Sequence, residues 1–145
     1  MEIPQTTTSE AHDLLNRHSG AVYLDVRTEP EFEAGHPVGA LNVPVVFFDP
    51  ATRQPTPNPE FVAIVERAIP RSATVLVGCQ SGARSQRACE LLAQAGYTDV
   101  TNVRGGFGGA RDPSGRVVSP GWRDAGLPVE TGATPGASYA DLKKK

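Results

Sequence analysis

A cysteine followed by a short glycine-containing loop and an arginine is the segment of this sequence best suited to chemistry. Cys79 comes directly after an apolar run, and Gly82 and Arg84 follow it in the sequence CQSGAR. A cysteine thiolate is a strong nucleophile. Arg84 adds a permanent positive charge and a forked donor for an oxyanion. The segment therefore predicts nucleophilic chemistry with Cys79 as the catalytic residue.

The loop that follows Cys79 is predicted to favour the thiolate over the thiol. The backbone N–H groups of residues 80–83 can curl round the sulfur as an anion-binding nest. A helix predicted to begin near Arg84 or Ser85 directs its positive N-terminal end at the same point. Gly82 permits the unusual backbone torsions that such a loop needs. We therefore predict that substrate is bound by Gln80, Ser81, Gly82, Ala83 and Arg84.

A free cysteine is often no more than a small buried hydrophobe, and on position alone Cys79 fits that interpretation too. The Ser-Gly-x-Arg sequence that follows it favours the nucleophile instead. Cys89, on the predicted helix after the loop, raises the same question. It can resolve an oxidised Cys79 into a disulfide or pack in the core, and its neighbours Ala88 and Leu92 favour packing.

Alternating strands and helices are predicted to position this loop. Short apolar runs predict buried strands over 21–26, 40–43, 74–78 and 100–103. Apolar residues at helical spacing predict helices over 7–17, 28–34, 61–69 and 85–95, the first two with capping boxes. The proline-rich segment 49–59 is predicted as a loop, and the chain from Asp112 onward as irregular. This alternation predicts an α/β fold with a parallel sheet and helices on both faces, where ligands bind at the carboxyl ends of the strands.

Length and composition limit the number of domains and the kinds of partner. The chain has 145 residues, a formal net charge of −2 and 39% hydrophobic residues, which suits one domain with its own core. Without a basic excess or a long apolar stretch, we expect neither a nucleic-acid partner nor a membrane. We assign residues 1–130 to the domain and 131–145 to a C-terminal tail, whose lysines 143–145 are predicted to be frayed and solvated.

Two cysteines are too few for a disulfide framework or a structural zinc site, so we expect no metal and no cofactor. Residues 1–10 show neither the charged nor the apolar region of a secretory signal. These observations predict a soluble protein in a reducing compartment, the cytoplasm.

Five stretches resemble the rhodanese family in the family's order. The active-site motif C-x-x-G-x-R corresponds to residues 79–84. The other four stretches are Leu24-Asp25-Val26-Arg27, then Glu31-Phe32 with residues 35–42 (GHPVGALN), then residues 102–107 (NVRGGF), and residues 126–129 (GLPV). The similarity covers about residues 7–129 and implies a single rhodanese-like domain with a five-stranded parallel sheet between helices. Many members of the family carry a basic residue at the position of Gln80. Because Gln80 is neutral, Arg84 is the only charged side chain in the loop itself.

The resemblance implies a thiosulfate sulfurtransferase that holds sulfur as a persulfide on Cys79. Thiosulfate or a similar small molecule would be the donor, and a thiol, cyanide or an acceptor protein would take the sulfur. Covalent catalysis of this kind divides one difficult transfer into two easier ones. The N–H groups of the loop would stabilise the terminal persulfide anion.

The resemblance also implies supporting residues around the loop. It favours Asp25 as a brace that holds the loop through backbone hydrogen bonds, rather than a simple turn cap. Arg27 is expected either to help bind an anionic donor or to form an ion pair with Glu31. Gly105 and Gly106 are expected to pack closely beside the Cys79 loop.

Three other functions fit a cysteine in a loop of this kind. Loops of the form C-x5-R perform phosphate chemistry, which leaves a phosphatase or arsenate reductase open. The chain could also be a non-catalytic rhodanese-like module for protein binding, or a redox-sensing thiol protein. Four residues separate Cys79 from Arg84, whereas the phosphatases that resemble this arrangement carry five. We therefore expect the ring of backbone N–H groups in this loop to be too narrow to bind a phosphate. Non-catalytic modules commonly lose the nucleophile, and this chain retains Cys79.

Overall fold

The computed structural model describes residues 2–144, so Met1 and Lys145, the last residue of the predicted lysine tail, lie outside it. The helices are α1 (Thr8–Arg17), α2 (Glu29–Ala34), α3 (Phe61–Ala68), α4 (Ala83–Gln94) and α5 (Tyr139–Leu142). The strands are β1 (Gln5–Thr6), β2 (Val22–Asp25), β3 (His36–Pro37), β4 (Leu41–Asn42), β5 (Val46–Phe48), β6 (Pro55–Pro57), β7 (Val75–Gly78), β8 (Val100–Val103), β9 (Ala110–Arg111), β10 (Val117–Ser119) and β11 (Val129–Glu130).

The central sheet has five strands in the order β1-β8-β7-β2-β4, and each neighbouring pair is parallel. The predicted α/β class and the five-stranded sheet are therefore confirmed. Four of these strands were predicted from apolar runs. The fifth, β1, is a two-residue edge strand whose Gln5 is exposed, so it carries no apolar pattern that could reveal it.

Helices cover both faces of the sheet, because successive side chains of a strand point to opposite faces. On one face, Leu24 and Val77 pack in a core with residues of α3, α4 and α5. On the other face, Tyr23 and Leu76 pack with residues of α1 and α2. The predicted arrangement is confirmed, and it leaves the carboxyl ends of β2 and β7 side by side, where Asp25 pairs with Gly78.

The two predicted capping boxes are present and fix where α1 and α2 begin. In α1, the Thr7 hydroxyl accepts from the Glu10 N–H at 3.1 Å. In α2, the Glu31 carboxylate accepts from the Thr28 N–H at 3.1 Å. Such boxes satisfy N–H groups that the first helical turn leaves unpaired. The second box also holds the Glu31 side chain in a defined position.

The proline-rich segment departs from its prediction. Residues 49–59 were predicted as a loop, but Pro55–Pro57 form β6, which pairs antiparallel with β5. Prolines are tolerated on such an edge because their missing N–H need not join a ladder. The chain after Asp112 was predicted as irregular, but β10 pairs with β9, and β11 pairs with β3. Of these ribbons, only the pairing of β11 with β3 joins segments that are distant in the chain.

The C-terminal segment packs against the domain core. Tyr139 and Leu142 of α5 are buried in the same cluster as residues of α3 and α4, and the Asn58 amide donates to the Tyr139 hydroxyl at 3.3 Å. Lys143 and Lys144 are exposed. The division of the chain after residue 130 stays a prediction. Among the described residues, no helix combines the length and the apolar character needed to cross a bilayer.

Candidate active site

Cys79 lies directly after β7, at the carboxyl edge of the sheet, and is 2% exposed. Its sulfur accepts the Gly82 N–H at 3.1 Å, and the Ser85 hydroxyl lies 3.4 Å from it. The loop therefore curls back on the sulfur, as the sequence predicts. Donors that point at sulfur favour its anionic forms, since a hydrogen bond to the charged form stabilises that form.

Gly82 is the turning point of the loop. Its φ of +109° lies in the left-handed region that favours glycine. A Cβ at this position would lie 2.6 Å from the Arg104 carbonyl oxygen, so a larger residue would collide with backbone. Because the turn is completed at Gly82, α4 begins at Ala83, slightly before the predicted start near Arg84 or Ser85. Its N-terminal end therefore lies next to Cys79.

The loop is also held by the chain segment after β8. The Phe107 N–H donates to the Cys79 carbonyl at 2.8 Å, and the Gly108 N–H donates to the Gln80 carbonyl at 2.9 Å. A Cβ on Gly106 would lie 2.3 Å from the Cys79 carbonyl oxygen, which agrees with close packing at Gly106. A Cβ on Gly105 would instead meet the Pro120 carbonyl. Support of the Cys79 loop by Gly105 stays a prediction.

Asp25 and Arg27 form a buried ion pair beneath the loop. The Arg27 Nη2 lies 2.7 Å from the Asp25 carboxylate and also donates to the Gly35 carbonyl at 2.7 Å. Its Nη1 donates to the Gln80 side-chain oxygen at 3.3 Å. The bracing of the loop by Asp25 stays a prediction. The described hydrogen bonds of the Asp25 carboxylate go to Arg27, which in turn contacts the loop through Gln80.

Arg84 forms an ion pair with Glu31. From the sequence, Arg27 was the expected partner of Glu31. The Arg84 Nη1 and Nη2 donate to the two Glu31 carboxylate oxygens at 2.7 and 2.9 Å. The predicted Arg27–Glu31 pair is therefore wrong. Burial by itself disfavours the Glu31 carboxylate, but hydrogen bonds from Arg84 and Thr28 outweigh it and lower the pKa of Glu31 to about 2. The pair is fully charged at neutral pH.

Sequence reasoning missed a buried polar pair behind the sulfur. Ser85 is fully buried, and its hydroxyl lies 2.5 Å from the Asn102 side-chain oxygen and 3.4 Å from the Cys79 sulfur. One hydroxyl proton can serve only one of these acceptors at a time. The Asn102 amide donates to the Gln5 side chain at 2.9 Å. The available signal was Asn102 itself, a polar residue in a buried strand.

Two grooves flank the loop. The larger, of about 720 Å³, is bounded by Ser81, Gly82 and Ala83 on the loop side and by Arg104 beyond them. The smaller, of about 440 Å³, is bounded by residues that include Glu31, Gln80, Phe107 and Arg123. Both volumes lie in the range of small-molecule sites, about 300–1,000 Å³. The predicted residues Gln80, Ser81, Gly82 and Ala83 therefore all border space that a small molecule can enter.

Cys89 is expected to be dispensable. It is fully buried, and burial, aided by the nearby Glu90 and Cys79, raises the pKa of its thiol to about 12. A thiol with a raised pKa stays protonated below that value and is a poor nucleophile. We expect Cys89→Ala to retain most of the sulfur transfer that the resemblance implies, measured as thiocyanate formed from thiosulfate and cyanide. A loss as large as that from removing Cys79 would indicate a relay between two cysteines.

Comparison with known proteins gives consistent matches. The family model described as Rhodanese-like domain matches residues 7–111. Thiosulfate sulfurtransferase 16, chloroplastic, of Arabidopsis thaliana is 43% identical over 97 residues, which cover 67% of this chain and 78% of that protein. Thiosulfate sulfurtransferase 18 of the same plant is 43% identical over 108 residues, covering 73% and 76% respectively.

A solved structure resembles the fold over nearly the whole chain. The crystal structure of Rv0390 from M. tuberculosis superposes with a TM-score of 0.75 at 32% sequence identity. The superposition covers 91% of this chain and 100% of that one.

Proposed function

Because the chain belongs to the rhodanese-like domain family, we propose that it is a thiosulfate sulfurtransferase that carries sulfur on Cys79. Relatives named thiosulfate sulfurtransferases support sulfurtransferase activity in general. The observation that carries the specific proposal is the hydrogen bond from the Gly82 N–H to the Cys79 sulfur at 3.1 Å. A loop folded around one sulfur suits a site that must hold a thiolate and a persulfide in turn.

The proposed reaction has two displacement steps. The Cys79 thiolate attacks the outer sulfur of thiosulfate and forms a new S–S bond. The original S–S bond breaks, and sulfite leaves with its electron pair. In the second step a thiolate or cyanide attacks the outer sulfur of the persulfide, and the Cys79 thiolate is released. No net oxidant or reductant is required, and the enzyme returns to its starting form.

The surrounding groups have distinct parts in this scheme. The Gly82 N–H and the positive end of α4 stabilise the anionic sulfur before and after the transfer. The Ser85 hydroxyl can turn from Asn102 toward sulfur when its charge is greatest, because both acceptors lie within its reach. The Asp25–Arg27 pair contacts the Gln80 side chain and limits movement of the loop.

Mass spectrometry of the intact protein tests the proposal directly. After incubation with thiosulfate and removal of small molecules, we expect one added sulfur, located on Cys79 by peptide mapping. Cyanide should remove it and yield thiocyanate. Cys79→Ser is the control, because it keeps Cys89 and should gain no sulfur. An unmodified Cys79 after saturating thiosulfate would contradict the proposal.

The phosphatase alternative is tested on the same protein. Two features disfavour a tetrahedral phosphate at the sulfur. The loop from Cys79 to Arg84 has few backbone N–H groups to bind it, and Arg84 is already hydrogen-bonded to Glu31. Misplacement of a reacting group by about 1 Å can cost about a hundredfold in rate. We expect negligible hydrolysis of an aryl phosphate. Ready hydrolysis that disappears in Cys79→Ser would favour the phosphatase over the sulfurtransferase.

A further inference from the structure

The charge of Arg84 is compensated inside the candidate active site. Two of its N–H groups are bonded to the two carboxylate oxygens of Glu31. Bidentate pairs of this kind are strong and geometrically specific. The Arg84 guanidinium also lies 5.4 Å from the centre of the Phe48 ring. Arg84 is the only charged side chain in the loop. Without any substrate, Glu31 already occupies one edge of its guanidinium group and Phe48 one face.

Glu31 is held in this position by its own helix. Its carboxylate accepts from the N–H and the hydroxyl of Thr28 at 3.1 and 3.0 Å, as the third residue of the α2 capping box. It also borders the smaller groove together with Gln80, the residue next to Cys79. A sulfur donor that approaches through this groove meets the Glu31 carboxylate, which is bonded to Arg84.

The two arginines that border the smaller groove, Arg27 and Arg123, also lie beside carboxylates. Arg27 is paired with the buried Asp25 at 2.7 Å, and the exposed Arg123 contacts Asp124 at 3.3 Å. Arg27, Arg84 and Arg123 therefore each have an acidic partner. A site that gained affinity from net positive charge would leave at least one of these guanidinium groups uncompensated.

We propose that Glu31 determines which donor charge the site accepts, by compensating Arg84 and placing a carboxylate beside the donor. Dianionic donors such as thiosulfate are disfavoured relative to monoanionic donors such as organic thiosulfonates and persulfides. This deepens the proposed function, and as a statement about donors it rests on that function. The electrostatic effect on Cys79 does not depend on sulfur transfer and can be measured separately.

Glu31→Gln is the informative variant. Glutamine is the other residue that serves at this position of a capping box, so the start of α2 is preserved while the negative charge is removed. Glu33→Gln is the matched control, because it makes the same change at an exposed position of the same helix. Both are made in a Cys89→Ala background, so that Cys79 is the only thiol.

The first measurement compares alkylation of Cys79 by anionic iodoacetate and neutral iodoacetamide. Removing the carboxylate charge that compensates Arg84 should raise the iodoacetate-to-iodoacetamide rate ratio by about three- to tenfold. The increase should shrink in high salt. Glu33→Gln should leave the ratio unchanged. If Glu31→Gln merely loosened the loop, both rates would rise together and the ratio would stay constant, which would overturn the proposal.

The second measurement compares kcat/KM for thiosulfate with kcat/KM for methanethiosulfonate, a monoanion whose outer sulfur is transferred while methanesulfinate leaves with the electron pair. Glu31→Gln should shift this ratio toward thiosulfate by about three- to tenfold. An unchanged ratio with active enzyme would overturn the assignment of Glu31. If neither donor is used by any variant, the proposed function fails, and the alkylation ratio alone still decides whether Glu31 controls the charge at Cys79.

Discussion

Cys79→Ser should reduce sulfur transfer to background, a loss of at least about three orders of magnitude. A serine hydroxyl at this position is not ionised at neutral pH and cannot form a persulfide. The fold should persist, since the smaller oxygen occupies the same site and can accept the Gly82 N–H. Thiocyanate formation and thermal unfolding, measured together, separate loss of chemistry from loss of structure.

Cys89→Ser is the matched control for this result. It makes the same atomic change at the other cysteine, which is also buried but packs among apolar residues of the core. We expect it to lower thermal stability, because a buried hydroxyl without a good partner costs about 1–3 kcal/mol, while activity is retained. Transfer that survives in Cys79→Ser and is lost in Cys89→Ser would reverse the assignment of the nucleophile.

Gly82→Ala should lower kcat/KM by about a hundredfold. The added Cβ would approach the Arg104 carbonyl oxygen to 2.6 Å, and backbone cannot move aside as a side chain can. The loop must shift, and the N–H that points at the Cys79 sulfur shifts with it. A displacement of about 1 Å at a reacting centre is enough for a loss of this size. Steady-state kinetics with thiosulfate and cyanide measure the effect.

Gly115→Ala is the control for Gly82→Ala. It introduces a side chain at a positive φ without a collision, so it shows the cost of the backbone conformation alone. Gly115 has a φ of +88°, but a Cβ there would meet nothing within 4 Å. A non-glycine residue in the left-handed region costs about 1–2 kcal/mol. Both variants should therefore lose stability, and only Gly82→Ala should lose activity. Equal activity in the two variants would show that the geometry of the Cys79 loop tolerates the shift.

The sequence was sufficient for features that depend on near neighbours in the chain. Cys79, Gly82 and Arg84 lie within six residues, so their spacing alone predicts a turn around the sulfur and a helix behind it. The capping boxes at Thr7 and Thr28 are equally local and are both present. The apolar strands are predictable because strands that are covered on both faces must be apolar along their length.

Partners that are distant in the chain were decided by the tertiary structure. Arg84 and Glu31 are 53 residues apart, and Asn102 and Gln5 are 97 residues apart. The sequence placed Glu31 near Arg27, four positions away, because local spacing was the only guide. In the folded chain Arg27 turns to Asp25 and to Gln80, and Glu31 is left for Arg84.

The edge strand β1 has a distant partner in β8, and the ribbon of β5 and β6 likewise depends on pairing, although its strands are close in the chain. Pro55–Pro57 has the composition of a loop and becomes a strand only because Val46–Phe48 lies beside it. Gln5–Thr6 joins the sheet because the edge of β8 offers unpaired backbone groups. The choice of Cys79 as the proposed nucleophile therefore rests on local sequence, whereas the charge around it is set by side chains that only the folded chain brings together. Charges act through space, and their effect depends on distances that chain spacing does not specify.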